Sequence, residues 1–286
     1  MPLNEKRTEF ETITVEPVAG ALGAEVSGVD LAGKLSDQTV ADIKDALFAH
    51  LVLFFRDQDI TPAQHLAFAE RFGEILPYPL VQGLDDYPDI VPVLKLEHET
   101  VNFGGIWHSD TAYLEQPPMG SILVARELPP AGGDTLWANM YLAYDTLSDG
   151  LKAALDGLVA ENNSEKREAL TTREDRRNSD PKDDSGLQTL AEHPVVRTHP
   201  VTGKRILYVN LGHTTRFKDM TEEESAPLLR YLFRHQTRPE FTCRLRWAPG
   251  TVAFWDNRAS QHLPINDYHG YRRLMHRVTL AGERPV

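Results

Sequence analysis

The chain has 286 residues, of which 41% are hydrophobic and 25% are charged, a composition typical of soluble globular enzymes. Its formal net charge of -12 at pH 7 argues against nucleic acid or an anionic membrane as a partner, because the long-range field repels both. The single cysteine, Cys243, allows no internal disulfide, and the polar first residues show no signal-peptide pattern. These features predict a cytoplasmic enzyme.

Two helices and a strand are predicted in the first quarter of the chain. A helix is expected over residues 37–49, with Ser36 as its N-cap. The short apolar run 51–55 predicts a buried strand and is too short to cross a bilayer. Thr61 begins a capping box with proline at the first helical position. This second helix is expected to end at Gly73.

Strands and one helix are predicted in the middle of the chain. Apolar runs between residues 91 and 126 predict strands that are separated by a loop over 102–106. The Gly-Gly-Asp turn at 132–134 leads into a strand over 135–138. A helix is then expected over 148–158.

Residues 161–184 are crowded with charged and turn-forming residues. Such a segment cannot bury much apolar area, so we expect a mobile loop there. A solvated loop without a role and a lid over a functional site are equally consistent with this composition.

The last part of the chain combines a helix with alternating strands. A second capping box at Thr221 predicts a helix to Gln236. Residues 241–247 and 273–280 alternate between apolar and polar side chains, and 251–255 is a further strand. Many short strands and few helices predict one domain over 1–286, mainly β with flanking helices: a sandwich or jelly roll.

A metal site is suggested by two segments that lie far apart in the sequence. His108 and Asp110 are two residues apart, so in an extended segment both side chains point to one side. His262, which follows a strand, is the candidate third ligand. Two histidines and one carboxylate form the facial triad of non-haem Fe(II) oxygenases. Alone the triplet is weak evidence, because the chain has 11 histidines and 42 acidic residues. The other histidines show no comparable pattern and are expected in the core or on the surface.

A second cluster of polar residues lies in the last strand. Arg273 and Arg277 are four residues apart and flank Met275 on the same face. Two guanidinium groups that face a closed core need anions as partners. Arg272 points to the other face, where we expect it to pair with an acidic residue at the sheet edge.

Taken together, the motifs resemble the taurine dioxygenase/TfdA family of Fe(II)- and 2-oxoglutarate-dependent dioxygenases. The resemblance covers nearly the whole chain, and jointly its motifs are highly specific. They are residues 22–26 (LGAEV), 28–31 (GVDL), 71–73 (RFG), 107–110 (WHSD), 132–135 (GGDT) and 255–258 (WDNR), together with His262 and the strand 273–277.

The resemblance implies a fold and a set of cofactors. The fold is a double-stranded β-helix, or jelly roll, and Fe(II) is bound by His108, Asp110 and His262. The co-substrates are 2-oxoglutarate and O2. Members of the family commonly form homodimers or homotetramers, so we expect the same of this chain.

The resemblance also implies roles for binding residues. Arg273, 11 residues after the distal histidine, holds the far carboxylate of 2-oxoglutarate with the Thr135 hydroxyl. Arg277, 15 residues after that histidine, contacts the anionic head of the primary substrate. The backbone N–H of Thr111 faces the same head group.

The chain departs from the taurine enzymes where substrate is recognised. Tyr78 lies nearest the position of their histidine, and Gly104 stands in place of their asparagine. A more apolar pocket lined by Tyr78, Leu80 and Tyr113 suits an alkyl sulfate, an organosulfonate or an aryloxyalkanoate better than taurine. Hydroxylation of a carbon that bears oxygen or sulfur then leads to cleavage and a carbonyl product.

Two other classes of function are compatible with parts of the sequence. Two histidines and an aspartate also bind zinc, as in hydrolases, but a zinc hydrolase has no use for paired inward arginines. A non-catalytic jelly-roll binding protein does not need a complete ligand triad. Uptake of O2 coupled to 2-oxoglutarate distinguishes the dioxygenase from both.

Overall fold

A computed structural model describes residues 9–78, 82–172 and 190–286. Its α-helices are α1 (Asp37–His50), α2 (Pro62–Glu70), α3 (Met140–Asp145), α4 (Asp149–Leu155), α5 (Arg167–Leu170) and α6 (Glu222–Gln236). Its strands are β1 (Thr14–Pro17), β2 (Ala24–Ser27), β3 (Val52–Phe55), β4 (Val91–Lys95), β5 (Gly120–Glu127), β6 (Thr135–Asn139), β7 (Val159–Asn163), β8 (Leu190–Pro194), β9 (Val196–Thr198), β10 (Arg205–Leu207), β11 (Thr214–Phe217), β12 (Thr242–Leu245), β13 (Val252–Asp256), β14 (Ser260–Pro264) and β15 (Arg273–Leu280). Among the helices of these ranges, none has the length and apolar character needed to span a bilayer.

The strands form one large sheet and three small ones. The large sheet has seven strands in the order β1-β2-β3-β13-β5-β15-β4, and a three-stranded sheet has the order β12-β6-β14. The other two sheets are β11-β7-β8 and β10-β9. This mainly β architecture with flanking helices is the predicted jelly roll, and the prediction is confirmed.

The large sheet is buried on both faces. Successive residues of a strand point to opposite sides, so alternate residues of one strand contact different parts of the core. In β13, Val252 and Phe254 belong to a core cluster that includes residues of α1 and α2. Their neighbours Ala253 and Trp255 belong to a second cluster, which includes residues of the β12-β6-β14 sheet. One face therefore packs on helices, and the other faces the interior between the sheets.

The alternation places the basic residues of β15 in the interior. Met275 belongs to the cluster between the sheets, whereas Val278 and Leu280 belong to the cluster under the helices. Arg273 and Arg277 share the face of Met275, and both are 5% exposed. The predicted inward pair is confirmed, and its strand has the bounds that the sequence predicted.

The prediction of a mobile loop over 161–184 is wrong for its first half. β7 pairs with β11 on one side and with β8 on the other, and α5 follows it. Asn162 is only 1% exposed and accepts a hydrogen bond from the Thr214 hydroxyl at 2.7 Å. Polar residues in this strand are buried because such partners satisfy them, which composition does not reveal. The second half of the predicted loop, 173–184, lies outside the described residues.

Two helices end earlier than the sequence predicted. α2 ends at Glu70, and the next turn is closed by bonds from the backbone N–H groups of Arg71 and Phe72. Gly73 is not among the residues with positive φ, so it provides no left-handed cap. α4 ends at Leu155 because Gly157, at φ 77°, turns the chain into β7.

Replacement of Phe254 by alanine tests the contact between the large sheet and α2. Phe254 is fully buried, and its ring centroid lies 5.0 Å from that of Phe72 and 6.4 Å from that of Phe68. We expect the free energy of unfolding in urea to fall by about 3–5 kcal/mol, since the change leaves a cavity. The control Val201→Ala, at a side chain that is 58% exposed, should change it by less than about 0.5 kcal/mol. Equal effects would contradict this packing.

Candidate active site

Three potential metal ligands converge on the pocket between the sheets. One ligand atom from each of His108, Asp110 and His262 lies within 4.8 Å of the other two. His262 lies in β14, and His108 lies in the segment that precedes β5. The backbone N–H of His108 donates to the carbonyl of His262 at 3.1 Å, and the reverse bond is 2.9 Å. This antiparallel bridge brings together the residues that the sequence predicted to converge.

Both imidazoles are prepared for coordination. His108 Nδ1–H donates to the carbonyl of Ile106 at 2.7 Å. This bond directs Nε2, the other ring nitrogen, towards a metal. Nε2 lies 3.7 Å from Asp110 Oδ1. Burial, reinforced by the neighbouring His108, lowers the pKa of His262 to about 3. At neutral pH His262 is therefore a neutral imidazole with a lone pair to offer.

Asp110 is a buried carboxylate with strong partners. Oδ2 accepts a hydrogen bond from the Ser121 hydroxyl at 3.0 Å, and Oδ1 accepts one from Arg277 Nη1 at 3.2 Å. Burial opposes ionisation, but Arg277 and the two histidines hold the pKa of Asp110 well below its usual range. Two imidazoles and one carboxylate are a donor set that fits a divalent first-row transition metal.

Asn257 holds the backbone of Asp110, a role that the sequence did not predict. Its Oδ1 accepts the backbone N–H of Asp110 at 2.7 Å, while its Nδ2 donates to the Asp110 carbonyl at 3.1 Å. Thr111, the next residue, has φ 43°, which is costly for a β-branched side chain. The side-chain amide of Asn257 thus fixes the backbone where it turns away from the carboxylate.

Gly104 allows the chain to lie close to the His108 ring. Its φ is 70°, and a Cβ at this position would lie 2.9 Å from His108 Cε1 and 3.2 Å from Nε2. A residue with a side chain would therefore displace the imidazole. Gly104 thus allows the chain to approach the His108 ring this closely.

Arg273 and Thr135 face the same pocket from the two opposing sheets. Nε and Nη2 of Arg273 are buried and have no hydrogen-bond partner within the described residues, and burial lowers the pKa of this group. The Thr135 hydroxyl accepts the indole N–H of Trp247 at 3.0 Å, so its own proton remains available to an acceptor. The two groups provide unsatisfied donors for an anion.

Arg277 and Tyr78 form a second donor group in the pocket. The Tyr78 ring centroid lies 4.3 Å from the guanidinium carbon of Arg277, a cation–π contact. Nε and Nη2 of Arg277 have no hydrogen-bond partner among the described residues. Burial opposes the charge, but Asp110 raises the pKa of Arg277 above its ordinary value. The group is therefore a permanent cation with free N–H donors.

The wall of the pocket contains residues that sequence reasoning did not single out. Besides the residues already named, they include Val93, Lys95, Asn102, Phe103, Ile106, Leu123, Trp137, Ala169, Thr172, His213, Trp255, Pro264 and Tyr268. His213 was expected in the core or on the surface rather than as a ligand; it is buried, and its ring centroid lies 6.2 Å from that of His108. Nothing in the sequence around His213 indicated this position.

The remaining predicted positions have mixed outcomes. Thr111 lines the pocket. Tyr113 is fully buried, with its ring 5.0 Å from that of His213, and is not part of the pocket wall. Leu80 lies outside the described residues. Arg272 pairs with Glu127 at 2.8 Å, as predicted.

Comparison with known proteins identifies the family. The model of the family described as "Taurine catabolism dioxygenase TauD, TfdA family" matches residues 14–279. The chain belongs to this TauD/TfdA family. The predicted family and the oxidoreductase class that it carries are confirmed.

Two relatives and one solved structure are similar over nearly the whole chain. An alpha-ketoglutarate-dependent sulfate ester dioxygenase of Pseudomonas putida is 38% identical, over 96% of this chain and 91% of the relative. An alkylsulfatase of Acinetobacter baylyi is 36% identical, over 96% and 86%. The crystal structure of a taurine dioxygenase from Burkholderia xenovorans has a TM-score of 0.80 and 38% identity, over 96% of this chain and 91% of that chain.

The steric role of Gly104 can be tested with a matched glycine. Gly203 has nearly the same φ, 69°, but a Cβ there would meet nothing within 4 Å. Alanine at either position should cost about 1–2 kcal/mol of stability from the backbone alone. Only Gly104→Ala should also weaken Mn(II) binding, by about 10–100-fold, because it displaces His108. Equal Mn(II) affinities in a calorimetric titration of the two variants would contradict this role.

Proposed function

We propose that this member of the TauD/TfdA family is an Fe(II)- and 2-oxoglutarate-dependent dioxygenase that hydroxylates a small anionic substrate. The convergence of His108, Asp110 and His262 carries this proposal. Beside them lie two buried guanidinium groups with unsatisfied N–H donors. A ligand triad alone fits several metals. The free donors of two buried cations also suit two anionic ligands, and a dicarboxylate co-substrate with an anionic primary substrate supplies both.

We assign the metal to three side chains. His108 Nε2, a carboxylate oxygen of Asp110 and a ring nitrogen of His262 hold Fe(II). When bound, iron and 2-oxoglutarate supply the oxidising chemistry, in which O2 is consumed and succinate, CO2 and a hydroxylated product are formed. The chain contributes the geometry: the Ile106 carbonyl orients His108, and Asn257 fixes the backbone of Asp110.

The co-substrate tail binds at the far end of the pocket in this proposal. The far carboxylate of 2-oxoglutarate accepts hydrogen bonds from the guanidinium of Arg273 and from the hydroxyl of Thr135. The planar fork of arginine suits a carboxylate, and the indole of Trp247 orients the hydroxyl by donating to it. Binding at this end fixes the distance of the keto acid from the metal ligands.

The head group of the primary substrate binds beside the metal ligands. Arg277 donates to it through the N–H groups that Asp110 does not use, and the backbone N–H of Thr111 is the second donor. Tyr78 covers the guanidinium and presents an apolar ring to the substrate chain. Water is kept away from the cation, which strengthens its attraction for an anion.

An alkyl sulfate is the substrate that we favour. One relative is a sulfate ester dioxygenase and another is an alkylsulfatase, and a sulfate head suits a guanidinium. Hydroxylation of the carbon that bears the ester oxygen gives an unstable hydroxy sulfate. This product collapses to an aldehyde and hydrogen sulfate. Organosulfonates and aryloxyalkanoates are the alternatives.

Three properties of the whole protein remain predictions. We propose a single domain over 1–286, in keeping with the family match over 14–279. A cytoplasmic location is supported by the single cysteine, Cys243, which can form no internal disulfide. We further propose a homodimer or homotetramer, as is common in the family.

A substrate panel tests the reaction class. With Fe(II), ascorbate, 2-oxoglutarate and O2 present, we expect an alkyl sulfate to yield succinate and inorganic sulfate in equal amounts. An alkanesulfonate and an aryloxyalkanoate are compared as the alternatives. His108→Ala and Asp110→Ala should reduce both products to background, whereas His98→Ala, at an exposed position, should not. Sulfate release that needs neither O2 nor 2-oxoglutarate would indicate a zinc hydrolase and would falsify the proposal.

Replacement of the two inward arginines should raise the KM of different substrates in steady-state kinetics. Loss of a charged hydrogen-bond partner costs about 1.5–3 kcal/mol, which is roughly a 10–100-fold change. We expect Arg273→Met to raise the KM for 2-oxoglutarate by this factor and Arg277→Met to raise mainly the KM for the alkyl sulfate. Arg272→Met, which removes a cation that precedes β15 and pairs with Glu127, is the control. If Arg273→Met left the KM for 2-oxoglutarate unchanged, the assignment of its role would be wrong.

A further inference from the structure

A third cation, Lys95, faces the interior beside Arg273. Lys95 ends β4, and its Cα partner across the strands is Arg273. Cross-strand partners point to the same face, with their Cβ atoms about 4.5–5.5 Å apart. Val93, two residues earlier in β4, packs against the cluster between the sheets. Lys95 is therefore an inward residue, and it is only 3% exposed.

The ammonium group of Lys95 has no hydrogen-bond partner within the described residues. It lies over the Tyr268 ring, whose centroid is 4.4 Å from Nζ. A cation–π contact offsets only part of the cost of burying an ion. Burial accordingly lowers the pKa of Lys95, although the carboxylate of Glu99 opposes this. The tyrosine alone does not account for a lysine in this position.

Lys95 and Arg273 share one ring and one end of the pocket. The guanidinium carbon of Arg273 lies 6.0 Å from the centroid of the same Tyr268 ring. The Tyr268 hydroxyl donates to Asn102 Oδ1 at 2.7 Å, which fixes the ring. Arg277 is four residues farther along β15, so its Cα lies about 13 Å away. Lys95 thus belongs to the end of the pocket at Arg273 and not to the end at Arg277.

We propose that Lys95 is a second cationic ligand for the far carboxylate of 2-oxoglutarate, together with Arg273. This inference rests on the proposed function, since it concerns the same co-substrate. A carboxylate has about four lone-pair sites. Arg273 can occupy two of them with its fork, Thr135 donates to a third, and the ammonium of Lys95 supplies the fourth donor. Bound in this way, the carboxylate satisfies both buried cations at once.

Binding of the far carboxylate by Lys95 affects which 2-oxo acid the pocket accepts. A 2-oxo acid that lacks the far carboxylate leaves two buried cations unpaired, which costs more than one unpaired cation. Lys95 therefore strengthens selection for a dicarboxylate. The effect should appear in binding, before any turnover.

The test compares two ligands that differ only at the far end. 2-Oxopentanoate has the keto acid and chain length of 2-oxoglutarate, but it ends in a methyl group. Calorimetric titration of the Mn(II)-loaded protein, without turnover, gives the affinity for each ligand. We expect Lys95→Met to weaken 2-oxoglutarate binding by about 10-fold or more, the value of one charged hydrogen bond. Its affinity for 2-oxopentanoate should change by less than about 2-fold, which is within roughly 0.4 kcal/mol.

Two further variants control for charge and for folding. Lys95→Arg keeps the charge and should retain most of the preference for 2-oxoglutarate. Arg272→Met removes a nearby cation that pairs with Glu127 on the opposite face, and it should change neither affinity. Thermal unfolding of each variant verifies that the fold is intact.

The contradicting outcomes can be told apart. If the wild-type protein shows no preference for 2-oxoglutarate over 2-oxopentanoate, the proposed function fails, and the inference fails with it. If the wild type shows the preference and Lys95→Met retains it, only the role of Lys95 is wrong. If Lys95→Met weakens both ligands equally, the lysine is merely structural.

Discussion

The site depends on two backbone hydrogen bonds between His108 and His262. They join a segment of irregular structure to the edge of the β12-β6-β14 sheet, and without them the two imidazoles would have no fixed relation. His262 is held from the other side by pairing of β14 with β6, where its partner is the fully buried Trp137. Because that strand is paired with β6, the bridge transfers its position to His108 and, two residues on, to Asp110.

Charge determines what the pocket can accept. Arg273, Arg277 and Lys95 are buried cations that face the interior, and the Asp110 carboxylate forms an ion pair with Arg277. A positive site inside a protein with a net charge of -12 cannot be explained by overall composition. Anionic ligands would satisfy the N–H donors of these cations that remain without a partner among the described residues. Both the co-substrate and the primary substrate are therefore expected to be anions, which agrees with the sulfate esters named for one relative.

The sequence predicted those parts of the site that depend on local periodicity. The alternation of β15 placed Arg273 and Arg277 on one face, and the spacing of His108 and Asp110 placed them on one side. Lys95 was not predicted as a site residue, because its position beside Arg273 follows from the pairing of β4 with β15, which are distant in the sequence. The strand β7 was missed because its buried polar side chains resemble those of a solvated loop. Long-range pairing, rather than composition, decides both cases.

The central claim is that His108, Asp110 and His262 hold one metal ion. An anaerobic crystal structure with Fe(II) and 2-oxoglutarate, with anomalous diffraction recorded at the iron edge, tests it most directly. We expect one strong anomalous peak at bonding distance from all three side chains, with the keto acid on the side that faces Arg273. A peak that contacts other residues, or a well-ordered pocket without iron under saturating Fe(II), would contradict the account.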